Sequence, residues 1–279
     1  LTTLFNRAAT LIVGKTKTTG TKYAGFRISF EVDKTSESTP NPAKVSIYNL
    51  SRDTRSALEQ KGLIMILEAG YSGIEDEPNV AQLFVGDVRR VKTVRQGPDL
   101  ITTLEAGDEE VKLTTTHVDQ SFKEFTSVTT VVQSLASKLG VGIGTISAAV
   151  KDVFQNGVSL SGLVSTQLDV ITKKIGVEWS VTDGQLNILA PTESTTEPAV
   201  LLDAFTGLIG FPCKRHDGDE KTKSFTGIEF SSLLNPEIRP GRAVQIVSGE
   251  IQGIFRVRRA RYRGDTHGGD WRVDVEAVQ

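Results

Sequence analysis

The chain has 279 residues, of which 38% are hydrophobic and 24% charged, with a formal net charge of −2; this excludes collagen-like, coiled-coil and disordered classes and a chain-wide basic field for nucleic acid. The single cysteine, Cys213, leaves no internal disulfide or Cys-based zinc cross-link, so apolar burial has to hold the fold. No aliphatic run approaches the roughly twenty residues of a membrane helix, and residues 1–13 lack the charge and cleavage pattern of a secretory signal, so neither stable membrane insertion nor export is expected.

Alternating apolar and polar residues predict strands over 26–32 and 43–48, with the Ser-, Thr- and Pro-rich stretch 34–42 as an exposed loop between them. Ser51 is placed to cap a short helix carrying Ala57 and Leu58 and ended by Gly62. Residues 62–70, 81–90 and 100–106 read as further strands, and 1–113 as a small β-barrel. The period then changes: Val128, Val131, Val132, Leu135 and Leu139 share one helical face that stops at Gly140. A second helix is expected around Leu168, Ile171 and Ile175, with Ser165 as its cap and Gly176 as its terminator. Val177, Trp179 and Val181 alternate after it, Asp183-Gly184 supplies a type I′ turn, and Leu186 and Ile188 return, so 114–195 reads as a small α+β unit with two helices and a hairpin. Residues 191–198 form a polar linker. Beyond it 225–230, 243–247, 253–261 and 271–278 alternate, and 196–279 reads as a second barrel. The fold class is therefore α+β, mostly β, with two small β-barrel domains flanking a small α+β domain.

Few constellations point to chemistry. Residues 9–16 imitate a phosphate-binding loop, but Ala9 replaces its first glycine and no helix opens behind Gly20, so a strand leading into a polar turn is expected. Gly140, Gly142 and Gly144 follow a helix where a dinucleotide fingerprint follows a strand, and read as a flexible loop. Cys213 and His216 lie three apart without a third group to orient them, and the cysteine reads as a small apolar filler in a loop. His216, Asp217 and Asp219, or Asp265, His267 and Asp270, match no zinc or calcium spacing and read as polar turns. Arg263-Gly264-Asp265 repeats an integrin-binding tripeptide in what reads as a hairpin loop. The acidic runs 75–77 and 108–110 read as solvated loop charge. No catalytic, cofactor-binding or metal-binding residue is predicted, and no enzyme activity is expected.

One strand concentrates positive charge: Arg256, Arg258, Arg259, Arg261 and Arg263. It reads either as an interface for an acidic partner or nucleic acid, or as a hairpin charge ladder. In the ladder Arg256 and Arg258 face Glu276 and Asp274 across a hairpin closed near 265–269, while Phe255 and Val257 share the other face with Trp271, Val273 and Val275.

Several stretches, taken in order, carry a resemblance. They are Asn41-Pro42-Ala43-Lys44-Val45-Ser46-Ile47-Tyr48-Asn49-Leu50-Ser51, Leu67-Glu68-Ala69-Gly70-Tyr71, Leu83-Phe84-Val85-Gly86-Asp87-Val88, and the helix preceding Gly176-Val177-Glu178-Trp179. Leu233-Leu234-Asn235-Pro236-Glu237-Ile238-Arg239-Pro240-Gly241 and the stretch from Tyr262 to Trp271 complete the series. This ordering resembles the baseplate hub proteins of tailed bacteriophages, the group that includes the late-control protein D-like and contractile-tail hub families. The resemblance implies a homotrimer whose two barrels per chain make six around a channel, adapting a six-fold tail tube to a three-fold central spike. It implies a tail tube protein, a central spike protein, baseplate wedge proteins and a tape measure protein as partners, transient passage of DNA, and no cofactor. It also implies a place in the virion tail baseplate after assembly in the host cytoplasm. A carbohydrate-binding or receptor-binding tail module would instead need an exposed aromatic platform, whereas Trp179 and Trp271 both occupy inward positions; a cell-wall hydrolase would need convergent acid and base groups in a cleft.

Overall fold

The computed structural model describes residues 6–16, 18–73, 79–108, 110–217 and 225–279. The N-terminal part holds β1 (Arg7–Gly14), β2 (Thr21–Tyr23), β3 (Ile28–Thr35), β4 (Pro42–Tyr48), α1 (Arg52–Leu58), β5 (Ile64–Tyr71), β6 (Asn79–Gln96) and β7 (Asp99–Gly107). The middle holds α2 (Glu110–Thr115), β8 (His117–Phe122), β9 (Thr126–Ser127), α3 (Val128–Leu139), β10 (Gly142–Ile146), β11 (Val153–Phe154), β12 (Val158–Leu163), α4 (Val164–Ile175), β13 (Glu178–Thr182) and β14 (Gln185–Leu189). The C-terminal part holds β15 (Val200–Leu202), β16 (Leu208–Asp217), β17 (Phe225–Leu233), β18 (Ala243–Val247), β19 (Gln252–Asp265) and β20 (Trp271–Val278).

The mostly-β class holds, but the two barrels do not. Strands from both ends of the chain join one 13-stranded sheet in the order β16-β17-β20-β19-β3-β4-β7-β6-β5-β1-β2, with β18 beside β19 and β15 beside β18. This order is open, and among the described residues no pairing closes either end of the chain into a barrel. The reason is β3 and β19: their edges pair with each other, Ser29 opposite Asp265 through Thr35 opposite Arg259. A single apolar cluster accordingly mixes residues of both ends, such as Phe30, Tyr71 and Trp271.

The two longest strands each change neighbour part-way along. β6 pairs with β5 over 79–87 and with β7 over 87–96, with a bulge between Val88 and Arg90. β19 pairs with β18 over 252–256 and with β3 over 259–265, and it bulges against β20 between Val257 and Arg259. An extra residue at a bulge bends and twists its strand, which redirects the far half toward a different neighbour.

The middle segment has its own apolar cluster, running from Leu113 to Ile188 around α3 and α4. α3 ends at Gly140 in the left-handed conformation, as its sequence predicts, and is capped at its start by Ser127, whose hydroxyl accepts from the Thr130 amide at 3.1 Å. α4 starts one residue before the expected cap: Leu163 is the N-cap, and Ser165, already within the first turn, donates to the Leu113 carbonyl instead. Residues 142–146 are not a loop but β10, parallel to β14, and a Cβ on Gly144 would come within 2.2 Å of Asn187 Oδ1. The type I′ turn forms as expected, with φ of 54° at Asp183 and 78° at Gly184.

Lys34 departs from its expected place in an exposed loop. β3 runs through it, and it continues the inward series Ile28, Phe30, Val32 with only 2% of its surface exposed. Residues 9–14 of the stretch imitating a phosphate loop lie in β1, which pairs antiparallel with β2. Arg263-Gly264-Asp265 lies within β19, Gly264 opposite Trp271, rather than in the hairpin loop.

Candidate functional site

The arginines of β19 divide into two groups at the bulge. Arg259, Arg261 and Arg263 stand on a central strand flanked by the acidic residues of β3 and β20. Asp33 receives Arg259 Nε at 2.8 Å and Nη2 at 2.5 Å, and Arg261 Nη2 at 3.3 Å. Arg263 reaches Asp274 at 3.1 Å and Glu31 at 3.3 Å, and Arg259 reaches Glu276 at 3.8 Å. Register therefore sets Arg259 against Glu276 and Arg261 against Asp274, not Arg256 and Arg258 as expected, because the hairpin closes at Gly264 opposite Trp271, three residues out of the expected register; the bulge at Arg258 changes that offset by only one residue and leaves Arg256 opposite Val278. The inward series changes parity at the same point, from Phe255 and Val257 to Ala260 and Tyr262, all buried.

Burial pushes the Asp33 carboxyl up, but the hydrogen bonds and charges of Arg259 and Arg261 outweigh it and hold Asp33 below the usual carboxylate range. Asp265 behaves alike: burial raises it, while Arg27, paired at 2.7 Å, and the His267 and Gly268 amides lower it further than burial raises it. Folded values below the unfolded ones mean stability that is complete above about pH 5, begins to fall near the unfolded value of about 4, and is lost as pH falls through the folded values. Urea midpoints at pH 6, 4 and 3 should therefore fall progressively. Asp33→Asn should be less stable than the parent at pH 6 and flatter across that range; an equally steep decline would mean that Asp33 does not contribute to it.

Arg256 and Arg258 belong to the seam with the middle segment. Arg256, 6% exposed, donates to the Pro191 carbonyl at 2.5 Å and the Ala190 carbonyl at 3.2 Å, and pairs with Glu178 at 3.3 Å. Burial pulls its guanidinium below its ordinary value despite Glu178. Arg258 contributes its carbonyl to the Ser36 amide and lines a cleft of about 340 Å³ with Glu37, Asp169 and Trp179. The stretch read as a linker is thus tied down: Thr195 donates to the Gly241 carbonyl, and Glu197 pairs with Arg239.

Sequence reasoning missed a second fastening across this seam. The Lys34 ammonium lies 2.8 and 2.7 Å from the two carboxylate oxygens of Asp183, and the Asp183 amide donates to Asp108 Oδ2 at 3.0 Å. Asp108, expected as solvated charge, is 1% exposed. The inward parity of Lys34 in β3 was the available signal.

Other candidates do not converge. Cys213 is exposed on β16 rather than a filler in a loop, and the side chains of His216 and Asp217, with Asp219, lie outside the described residues. So do Glu75–Glu77 and Glu109. Asp265 is occupied by Arg27 and the His267 amide. A cleft of about 490 Å³ over the ladder is lined by Glu229, Asp274 and Glu276, each ion-paired to an arginine. Trp179 and Trp271 are buried.

The fold, a long mixed sheet with an α+β segment, is shared with solved phage tail proteins. A 43 kDa tail protein of prophage MuSo2 from Shewanella oneidensis matches with a TM-score of 0.67 at 11% identity, covering 98% of each chain. A tail protein from Neisseria meningitidis matches with a TM-score of 0.69 at 10% identity, covering 99% of this chain and 97% of that one. The E. coli c3393 protein, a type VI secretion component similar in structure to the T4 tail proteins gp27 and gp5, matches with a TM-score of 0.64 at 10% identity over 96% of this chain and 76% of that one. No curated protein matches by sequence. The chain belongs to the baseplate hub gp41 family, whose profile matches residues 9–252. It is a structural protein of the bacteriophage tail baseplate.

Proposed function

We propose that three copies form a ring at the centre of the baseplate, adapting the six-fold tail tube to the three-fold spike and lining the channel through which DNA passes. The observation that supports this best is the doubling within one chain: the β6–β7 and β19–β20 hairpins each grow from a long strand that bulges and changes neighbour. Two such halves per chain give a trimer six comparable units to set against a six-fold tube. Tube, spike, wedge and tape measure proteins are the partners this position implies, met after assembly in the host cytoplasm. The role asks for shape and contact, and the ion-paired carboxylates over the ladder suit a structural part better than acid–base chemistry.

Light scattering on the purified chain should give a mass of about 91 kDa, three times 30.2 kDa, with a central hole in negative-stain images. A mass of one copy that persists when tube and spike proteins are added would defeat the ring.

A further inference from the structure

We propose that the free edge of β6 over residues 90–96 docks an acidic, extended segment of another protein by strand addition. β5 reaches only to Asp87, and the Val88 amide donates to the Leu63 carbonyl; over 90–96 β6 pairs with β7 and with no other strand among the described residues. The outward backbone of this half-strand is a template for another strand. The hairpin is also held ready for use. β4 covers the far side of β7 from Pro42 to Tyr48, and hydroxyl pairs Ser46–Thr103 at 2.8 Å and Thr93–Thr102 at 3.1 Å stitch the three strands together.

Charge selects the occupant. Arg90, Lys92 and Arg95 make no ion pair with any described residue, and Arg95 reaches only the Gly97 carbonyl, at 3.4 Å. Elsewhere arginines such as Arg27, Arg215, Arg239, Arg256, Arg259 and Arg263 each meet a carboxylate. A second copy of the same edge would set these cations against their equals, which is repulsive, whereas a strand with alternating carboxylates would neutralise them. Val94, 46% exposed, shares a face with Arg90 and Lys92 and offers an apolar contact between the charges. Alternating backbone donors and acceptors plus an exposed valine suit a polypeptide; phosphates would use only the cations and leave the amide–carbonyl edge unpaired.

The test uses the full chain and a fluorescent eight-residue peptide of alternating Glu and Val, read by anisotropy. Binding is expected to weaken about tenfold or more when alternate peptide amides are N-methylated, which preserves charge and removes ladder hydrogen bonds. It should weaken by about tenfold in Lys92→Glu/Arg95→Glu, or by a smaller factor in Lys92→Glu alone, with unfolding temperature unchanged because both side chains are exposed and neither stands opposite a charged residue of β7. Equal binding of the methylated peptide would overturn strand addition. No binding of the parent peptide, or tighter binding of a 20-base-pair DNA duplex that the same charge reversals weaken, would overturn the acidic-protein assignment. The ring plays no part in this inference, and a monomer would serve the experiment equally well.

Discussion

Replacing Lys34 with alanine is expected to remove about 3–5 kcal/mol of stability, read as a drop in the urea midpoint. Lys34 is almost wholly buried, its ammonium within 2.8 Å of both Asp183 oxygens and 6.0 Å above the Tyr262 ring. Tyr262 is itself fully buried and donates to the Ile238 carbonyl, and burial pushes its phenol far above the ordinary range. Removing the cation strands a carboxylate that is only 17% exposed, and the uncompensated charge, more than the lost methylenes, sets the cost. Lys34→Met, which keeps the stem volume, should therefore be nearly as damaging as Lys34→Ala. Lys34→Met with Asp183→Asn should recover most of the loss, since asparagine tolerates the positive φ of 54° at that turn and neither member of the pair is then charged. A single-mutant cost below about 1 kcal/mol would place the pair among exposed, weakly contributing ion pairs.

Trp271→Ala should cost a similar amount, about 3–5 kcal/mol. The indole meets Phe30 edge-on at 5.5 Å and 72° and Tyr71 at 6.4 Å and 74°, while the Arg7 guanidinium stacks 5.7 Å from its ring. It thereby joins β20 to β1, β3 and β5, and truncation would open a cavity between the two ends of the chain. Trp271→Phe is the informative contrast. The buried indole N–H has no hydrogen-bond partner among the described residues, so phenylalanine sacrifices contact area but no hydrogen bond, and should cost less than about half as much. Denaturation that shows both variants equally damaged would mean that the N–H is bonded in solution.

Local pattern carried far in this sequence, and long-range pairing did not. The face of α3 and its glycine stop are both local and were legible in 128–140; its serine cap, equally local, was not read. The Asp183-Gly184 turn was legible for the same reason: its chemistry is confined to two residues. The union of β3 with β19 was not, because alternation tells which face a strand buries and not which strand it meets. Yet two long-range features left a trace. The arginines change from even to odd positions between 258 and 259, which is the imprint of the bulge, and Lys34 occupies an inward position that only a buried anion would make tolerable.

The pairing of Thr35 with Arg259 spans more than four-fifths of the chain. At roughly 5–20 residues per second of synthesis, β3 waits about ten to forty-five seconds on the ribosome before its neighbour emerges. Contacts so distant in sequence also close slowly once both strands exist. During that interval β3 presents a bare edge beside an incomplete apolar face. This phage part has a folding problem set by the order of its translation, and its yield should depend on growth temperature and chaperone supply more than its final stability would suggest.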